Sequence, residues 1–278
     1  MDTTRPSRPP LPGPQRWPVV ADGLKLAALV AVLSGLMIHA TQGLGYHWQW
    51  YRIPAYVIAT SPGGIVCGPL LRGLGVTLQI TAASLVLAFL IGLTTALMRL
   101  SGSVLGRLTA RTYLEIVRNT PLLVQIFFIY FVLSPVLQLS AFASAVLALS
   151  LFEGAYASEI FRAGILSIHR GQWEAAFSSG LGTWHTYRLV ILPQAVRQIL
   201  PPLTSQAISL IKDSALVSTI AIYDLTMQGQ AIIAETYLVF EIWFTVAALY
   251  LVITLALSLT VTLMEKRLRS GFTTSDHT

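Results

Sequence analysis

Five ionisable side chains interrupt apolar stretches of this sequence: Glu153, Glu159, Arg162, Lys212 and Asp213. A charge inside an apolar span is costly, so such groups are functional candidates by default. Glu153 falls near the middle of the stretch 142–166. Lys212 and Asp213 come some 15 residues after Arg197, roughly 23 Å along a helix. Carboxylates and a lysine at this depth, with Tyr156 and Gln206 as further polar groups, form a candidate lining for a polar path. The alternative is mutual pairing, with Lys212 satisfied by Asp213 or Glu153 to seat the helices. The residues alone leave both readings open. Glu159 and Arg162 are three apart, one helical turn, and read as a structural ion pair near a helix end. Asp224, Glu235 and Glu241 are expected near the opposite surface, in contact with a partner or with solvent.

Catalytic machinery is not legible. There is no H-E-x-x-H, no G-x-S-x-G and no G-x-x-x-x-G-K-[ST]. The five histidines are scattered without metal-ligand spacing, and Cys67 is the single cysteine. The expectation is a non-enzymatic chain with no metal and no cofactor, one that cannot hydrolyse ATP by itself.

The elements that position these groups follow from composition. Of 278 residues, 54% are hydrophobic and 11% charged, against about 25% charged in soluble domains. That excludes disorder, coiled coils and ordinary cytosolic enzymes, and points to an all-α integral membrane protein. Spans need about 20 apolar residues. Six are expected: 19–40, 74–98, 113–137, 142–166, 199–222 and 237–264, the fifth broken by Pro201 and Pro202. Residues 1–18 hold six prolines and three arginines and read as a polar tail. A signal peptide is the alternative for 19–40. A retained helix is preferred because the orientation requires it. Trp48, Trp50, Tyr51 and Tyr56 suit headgroup level.

Basic residues set the orientation. With the N-terminus inside, 14 of the 18 Lys and Arg fall on one face: 5, 8, 16, 25, 99, 107, 111, 118, 162, 170, 188, 266, 267 and 269. Only Arg52 and Arg72 fall opposite, while Arg197 and Lys212 belong to the fifth span. This asymmetry is the positive-inside pattern and places both termini in the cytoplasm. The net charge of +6 therefore reports topology, and nucleic acid is not an expected partner.

The loop after the fourth span, 171–190, is the most informative stretch. Glu174-Ala175-Ala176 favours a short helix, and Gly180 and Gly182 then force a bend. A second amphipathic turn, 184–189, precedes Leu192 and Pro193, which opens the next helix. The periodicity alone is also compatible with an ordinary interfacial loop.

The spacing E-A-A-x3-G-x9-[IV]-x-L-P, carried by Glu174, Ala175, Ala176, Gly180, Val190, Leu192 and Pro193, resembles the signature loop of binding-protein-dependent ABC importer permeases. Three further blocks resemble the polar amino-acid (histidine, glutamine, glutamate or arginine type) branch of that family: Arg118-Asn119-Thr120-Pro121-Leu122-Leu123-Val124-Gln125, residues 154–164, and residues 212–218. The likeness runs from about Gly73 to Arg267. It implies a type I importer permease fold and a cytoplasmic coupling helix that fits a groove on a separate ATPase subunit. The contacts to that subunit fall on Glu174, Ala175, Ala176, Gly180, Leu192 and Pro193.

The resemblance also implies the partners: a second permease subunit, identical or homologous, two ATP-binding subunits, an extracytoplasmic solute-binding protein and membrane lipid. The location implied is the bacterial inner membrane. An amino acid carries an ammonium and a carboxylate, which suits the lining of Glu153, Lys212, Asp213, Tyr156 and Gln206. The organisation expected is a tail (1–18), an extra helix and outer loop (19–72), the transporter core (73–267) and a cytoplasmic tail (268–278). A self-contained secondary transporter or channel is the competing class. Such proteins more often show internal repeats, and no repeat is evident here.

Overall fold

The computed structural model describes residues 17–43, 46–61 and 64–270. The chain divides into two units, 1–48 and 49–278. Among the described residues, the first contains one helix, α1 (Trp17–Gly43), in which Lys25 pairs with Asp22 at 3.0 Å on an exposed face. The expected span 19–40 thus lies within a helix. The residues expected to form the two tails fall outside the described residues, apart from 17, 18 and 268–270 at the helix ends.

The second unit begins with a 3-10 turn (Trp50–Arg52), a short helix α2 (Ile53–Val57) and an antiparallel hairpin of β1 (Ile58–Ser61) and β2 (Gly64–Cys67), Ile58 opposite Cys67. Helix α3 (Pro69–Leu100) follows, 32 residues long, about 48 Å at helical rise and longer than a bilayer core. Its buried stripe, Thr77, Thr81, Ser84, Ala88, Gly92 and Thr95, recurs every three or four residues and is made of small side chains. Small residues let helix backbones approach closely in apolar surroundings. The neighbour is α7 (Ala141–Leu166), whose Ser150 hydroxyl donates to the Ser84 carbonyl at 3.2 Å. A Cβ added at Gly92 would stand 2.8 Å from the Ala157 methyl, so glycine is required at this crossing.

The expected third span is not one straight helix. Helix α4 (Val104–Arg118) meets the apolar leg Leu122–Leu137 at 107°. That leg consists of α5 (Leu122–Phe127), a π-helical stretch (Phe128–Leu133) and α6 (Ser134–Leu137). The bend is built by the block that the resemblance singled out. Pro121 disfavours helical backbone at Thr120. The carbonyls freed at the break are capped: Asn119 Nδ2 donates to Glu115 at 2.7 Å, and Gln125 Nε2 donates to Val117 at 2.8 Å and Thr120 at 2.9 Å.

After α7 come α8 (Arg170–Ser178), α9 (Thr183–Thr186), a π turn (Tyr187–Ile191) and α10 (Leu192–Asp213). The expected fifth span began at 199; the helix instead starts at Leu192, with Pro193 in its first turn, and continues through Pro201 and Pro202. It tightens to 3-10 geometry over Ser214–Ile220 and ends at Ala221, φ +58°. Helices α11 (Leu225–Thr236) and α12 (Val239–Ser270) complete the unit. Among the described residues, Pro69–Leu100, Ala141–Leu166 and Val239–Leu263 are long and apolar enough to cross a membrane; the pair bent by 107° passes the same test only when its two legs are counted together.

Candidate functional site: an intramembrane carboxylate and a surface helical loop

Helices α3, α7 and α10 enclose a cavity of about 180 Å³. Leu85, Ala88 and Phe89 come from α3, Glu153 and Ala157 from α7, and Leu203, Thr204, Gln206 and Ala207 from α10. Glu153 is 2% exposed. Its Oε2 accepts a hydrogen bond from Gln206 Nε2 at 2.6 Å, while Oε1 is buried, receives no donor among the described residues, and the Asp213 carboxyl lies against the group. Buried polar atoms are nearly always satisfied, so Glu153 with the neighbouring Asp213 is the candidate acceptor for a polar ligand group. Ordinary ligand pockets measure about 300–1,000 Å³, so this cavity encloses only part of a ligand.

Gln206 and Asp213 are seven residues apart, two helical turns, and share a face of α10. Both face Glu153, and Asp213 is half-buried. Lys212, one position earlier, points off that face and is exposed. It forms no ion pair with Glu153 or Asp213 within 4 Å among the described residues, although its charge acts on neighbouring Asp213. The expected alternative, Lys212 neutralised by close pairing, is therefore not what the fold contains. Tyr156 is placed elsewhere. It lines a second, arginine-rich cleft, with the Arg118 guanidinium 5.7 Å from its ring centre. Glu159 in that cleft accepts from Arg99, Arg118 and Arg162, so the expected Glu159–Arg162 pair (3.0 Å) belongs to a larger cluster.

Two acids expected near the outer surface are fully buried. Asp224 caps α11 by accepting from Met227 N–H at 2.8 Å, and it also accepts from the Tyr250 hydroxyl at 3.4 Å. Burial pushes its carboxyl up to about 6. Glu241 accepts from the Gln49 backbone N–H at 2.7 Å and ties the start of the unit to α12. Glu235 is exposed, as expected. Sequence reasoning missed Asp224 as a cap, although an Asp three residues before Met227 in an apolar run is a recognisable N-cap signal.

The loop joining α7 to α10 is a helix–turn–helix. Gly180 has φ +79°, and the Leu181 N–H bonds the Ala176 carbonyl at 3.1 Å, closing α8 with a left-handed cap. Gly182 is extended at φ −69° and only precedes α9. Ala176 is buried, while Glu174 and Ala175 face outward, Glu174 paired with Arg170 at 3.0 Å. Leu192 and Pro193 are also exposed. The inner side is held firmly. Trp173 packs edge-on against Tyr187 at 4.9 Å, and both join a core of Ile165, Ile168, Ile191 and Ala195. The outer side exposes Phe177, Trp184 and Leu189.

Comparison with known proteins places this arrangement. The family described as "Binding-protein-dependent transport system inner membrane component" matches residues 84–270. The chain belongs to that family. It is accordingly a multi-pass protein of the bacterial inner membrane and a non-catalytic membrane component of an ABC transporter with the type I importer permease fold. The chain is 41% identical over 203 residues to the glutamine transport system permease protein GlnP of Escherichia coli strain K12, covering 72% of this chain and 93% of that one. It is also 41% identical over 224 residues to the L-cystine transport system permease protein TcyB of Bacillus subtilis, covering 78% and 96%. A crystal structure of an amino acid ABC transporter superposes with TM-score 0.68 at 40% identity, over 72% of this chain and 94% of that one. The MetNI methionine transporter, at 21% identity and TM-score 0.60, shares the fold.

Proposed function

We propose that this family member is the permease subunit of an ATP-driven importer of a polar amino acid. The relatives named for glutamine and L-cystine support the substrate class. The observation that carries the mechanism is the rigid attachment of the helical loop to the two helices that bear the site. Motion imposed on α8 and α9 passes through the Trp173–Tyr187–Ile191 packing into α7 and α10. Those helices hold Glu153 and Gln206, so a push on the loop moves the two walls of the cavity against each other.

The ATPase subunit docks on the exposed side of the loop, with Glu174 and Ala175 at the contact and Phe177 and Trp184 as apolar anchors. Gly180 sets the angle between α8 and α9. Ala176, Leu192 and Pro193 complete the motif without a charged contact. Glu153 Oε1 accepts the substrate ammonium, Gln206 orients the carboxylate, Asp213 adds negative charge and exposed Lys212 meets the substrate carboxylate. Tyr156 belongs to the path at its cytoplasmic end. Because the cavity is small for a ligand, a second permease copy completes it.

Six spans with both termini cytoplasmic agree with the arginine distribution, and the core 73–267 then works with two permeases, two ATPases and a solute-binding protein. Residues 19–72 add a helix and an outer loop. The test is reconstitution in proteoliposomes with the ATPase and solute-binding protein. Uptake of labelled glutamine or cystine, dependent on internal ATP, is expected. Uptake driven by an ion gradient without the ATPase would overturn the reading in favour of a secondary transporter. Reporters fused at Ser103 and after Arg269 should read cytoplasm, and one near Tyr51 the opposite side.

A further inference from the structure

The second cleft, about 910 Å³, is not used by the transport reading beyond Tyr156. It lies between α4, the C-terminal end of α3 and the last turns of α7, at the end of α7 that leads into the helical loop. Arg99, Arg107, Arg111, Arg118 and Arg162 line it, against Glu115 and Glu159. Glu159 is already shared by three arginines. Arg107 Nη1 reaches only the Ser101 carbonyl, at 3.0 Å. Arg111 has no hydrogen bond or ion pair among the described residues. The cleft therefore carries uncompensated positive charge, concentrated on α4.

Helix α4 combines an inward-packed side, an arginine stripe and exposed apolar side chains. Ala110, Leu114 and Val117 pack inward, Leu114 and Val117 in a cluster with Ala155. Arg107, Arg111, Glu115 and Arg118 form a stripe at helical spacing along the cleft. Val104, Leu105, Leu108 and Ile116 are 60–73% exposed, Val104 and Leu108 lining the cleft at the end of that stripe and Leu105 and Ile116 beside it. The 107° bend at Pro121 turns α4 steeply away from the apolar leg that crosses the bilayer. An arginine stripe flanked by exposed apolar side chains, on a helix lying across the span direction, is the pattern of an interfacial amphipathic helix.

We infer that α4 lies in the cytoplasmic membrane interface and that the Arg107–Arg111–Arg118 cleft binds the phosphate headgroup of an anionic phospholipid. The exposed leucines sit among the acyl chains of the same leaflet. Charge complementarity selects an anionic headgroup over a zwitterionic one, and the neighbouring apolar stripe selects a lipid over a free phosphate. The bound lipid would fix α4 against α7, whose next turn leads into the helical loop.

The full-length chain, purified in detergent and depleted of lipid, is titrated with phosphatidylglycerol or phosphatidylcholine, and bound lipids are counted by native mass spectrometry. Preferential retention of phosphatidylglycerol is expected. Arg107→Gln/Arg111→Gln should lower it about fivefold per arginine removed, leaving phosphatidylcholine binding unchanged. Arg111→Gln alone breaks no contact in the fold and serves if the double variant purifies poorly. Arg107→Lys/Arg111→Lys should restore most of the binding. Equal retention of the two lipids, or retention indifferent to both glutamine variants, would overturn the inference. Displacement by millimolar inorganic phosphate would overturn it too, leaving a free-anion site.

Discussion

Gln206 reaches from α10 across to α7 and donates to Glu153 at 2.6 Å, so one carboxylate oxygen is held while the other is buried with no donor among the described residues and the Asp213 carboxyl beside it. The Gln206 bond fixes the rotamer of a side chain that lines the cavity. Replacing Glu153 with Gln keeps the shape and removes the charge. Uptake should fall at least about tenfold through a raised KM, with normal membrane abundance. Gln206→Ala removes the side-chain donor to this carboxylate, leaving it beside Asp213, and should lower thermal stability by about 1–3 kcal/mol. A Glu153→Gln variant with unchanged KM would remove this carboxylate from the site.

Lys212 gives a cleaner test, because it is exposed and closely paired with nothing among the described residues. Lys212→Met should leave expression and melting temperature within experimental error. Uptake should drop if the ammonium meets the substrate carboxylate. Asp213→Asn, by contrast, should change both uptake and stability, since Asp213 is half-buried beside Glu153. Equal behaviour of the two variants in a paired uptake and thermal assay would contradict the asymmetry of their positions.

Coupling is tested at Gly180 and Glu174. A β-branched residue at φ +79° is strained by about 1–3 kcal/mol, so Gly180→Val should distort the junction of α8 and α9. Glu174→Lys loses only an exposed pair with Arg170, worth under about 1 kcal/mol. Both variants should insert normally and co-purify with less ATPase, and substrate-stimulated ATP hydrolysis should be lost. Full ATPase recovery with full transport would sink the docking assignment.

Asp224 predicts a pH effect with a definite sign. Its folded carboxyl titrates near 6, above the usual value of 3.8, because burial disfavours the charge. The folded chain therefore holds a proton that the unfolded chain has released between about pH 4 and 6. Unfolding stability should fall as pH rises through that window, by up to about 1.4 kcal/mol per unit. Asp224→Asn should flatten this slope in thermal melts taken from pH 4 to 7. An unchanged slope would place the titrating group elsewhere.

Much of this was legible in the residues. Low charge and long apolar runs specify a membrane protein because no other solvent accommodates them. The Glu-Ala-Ala stretch and Gly180 specify a helix and its stop through local propensity and the left-handed cap, both short-range effects. Glu159 and Arg162 were readable as a pair from helical spacing alone. Other features depended on distant partners. That Gln206, and not Lys212, approaches Glu153 depends on how α10 is rotated against α7, 53 residues away in sequence. That Tyr156 meets Arg118 in the arginine-rich cleft, and not Glu153 in the cavity, depends on the packing of α4 against α7. Asp224 and Glu241 are buried because α11 and α12 fold over the N-terminal end of α3 and over Gln49. Periodicity identifies which residues share a face of one helix, but the facing partner is set by packing between helices, which only the tertiary structure supplies.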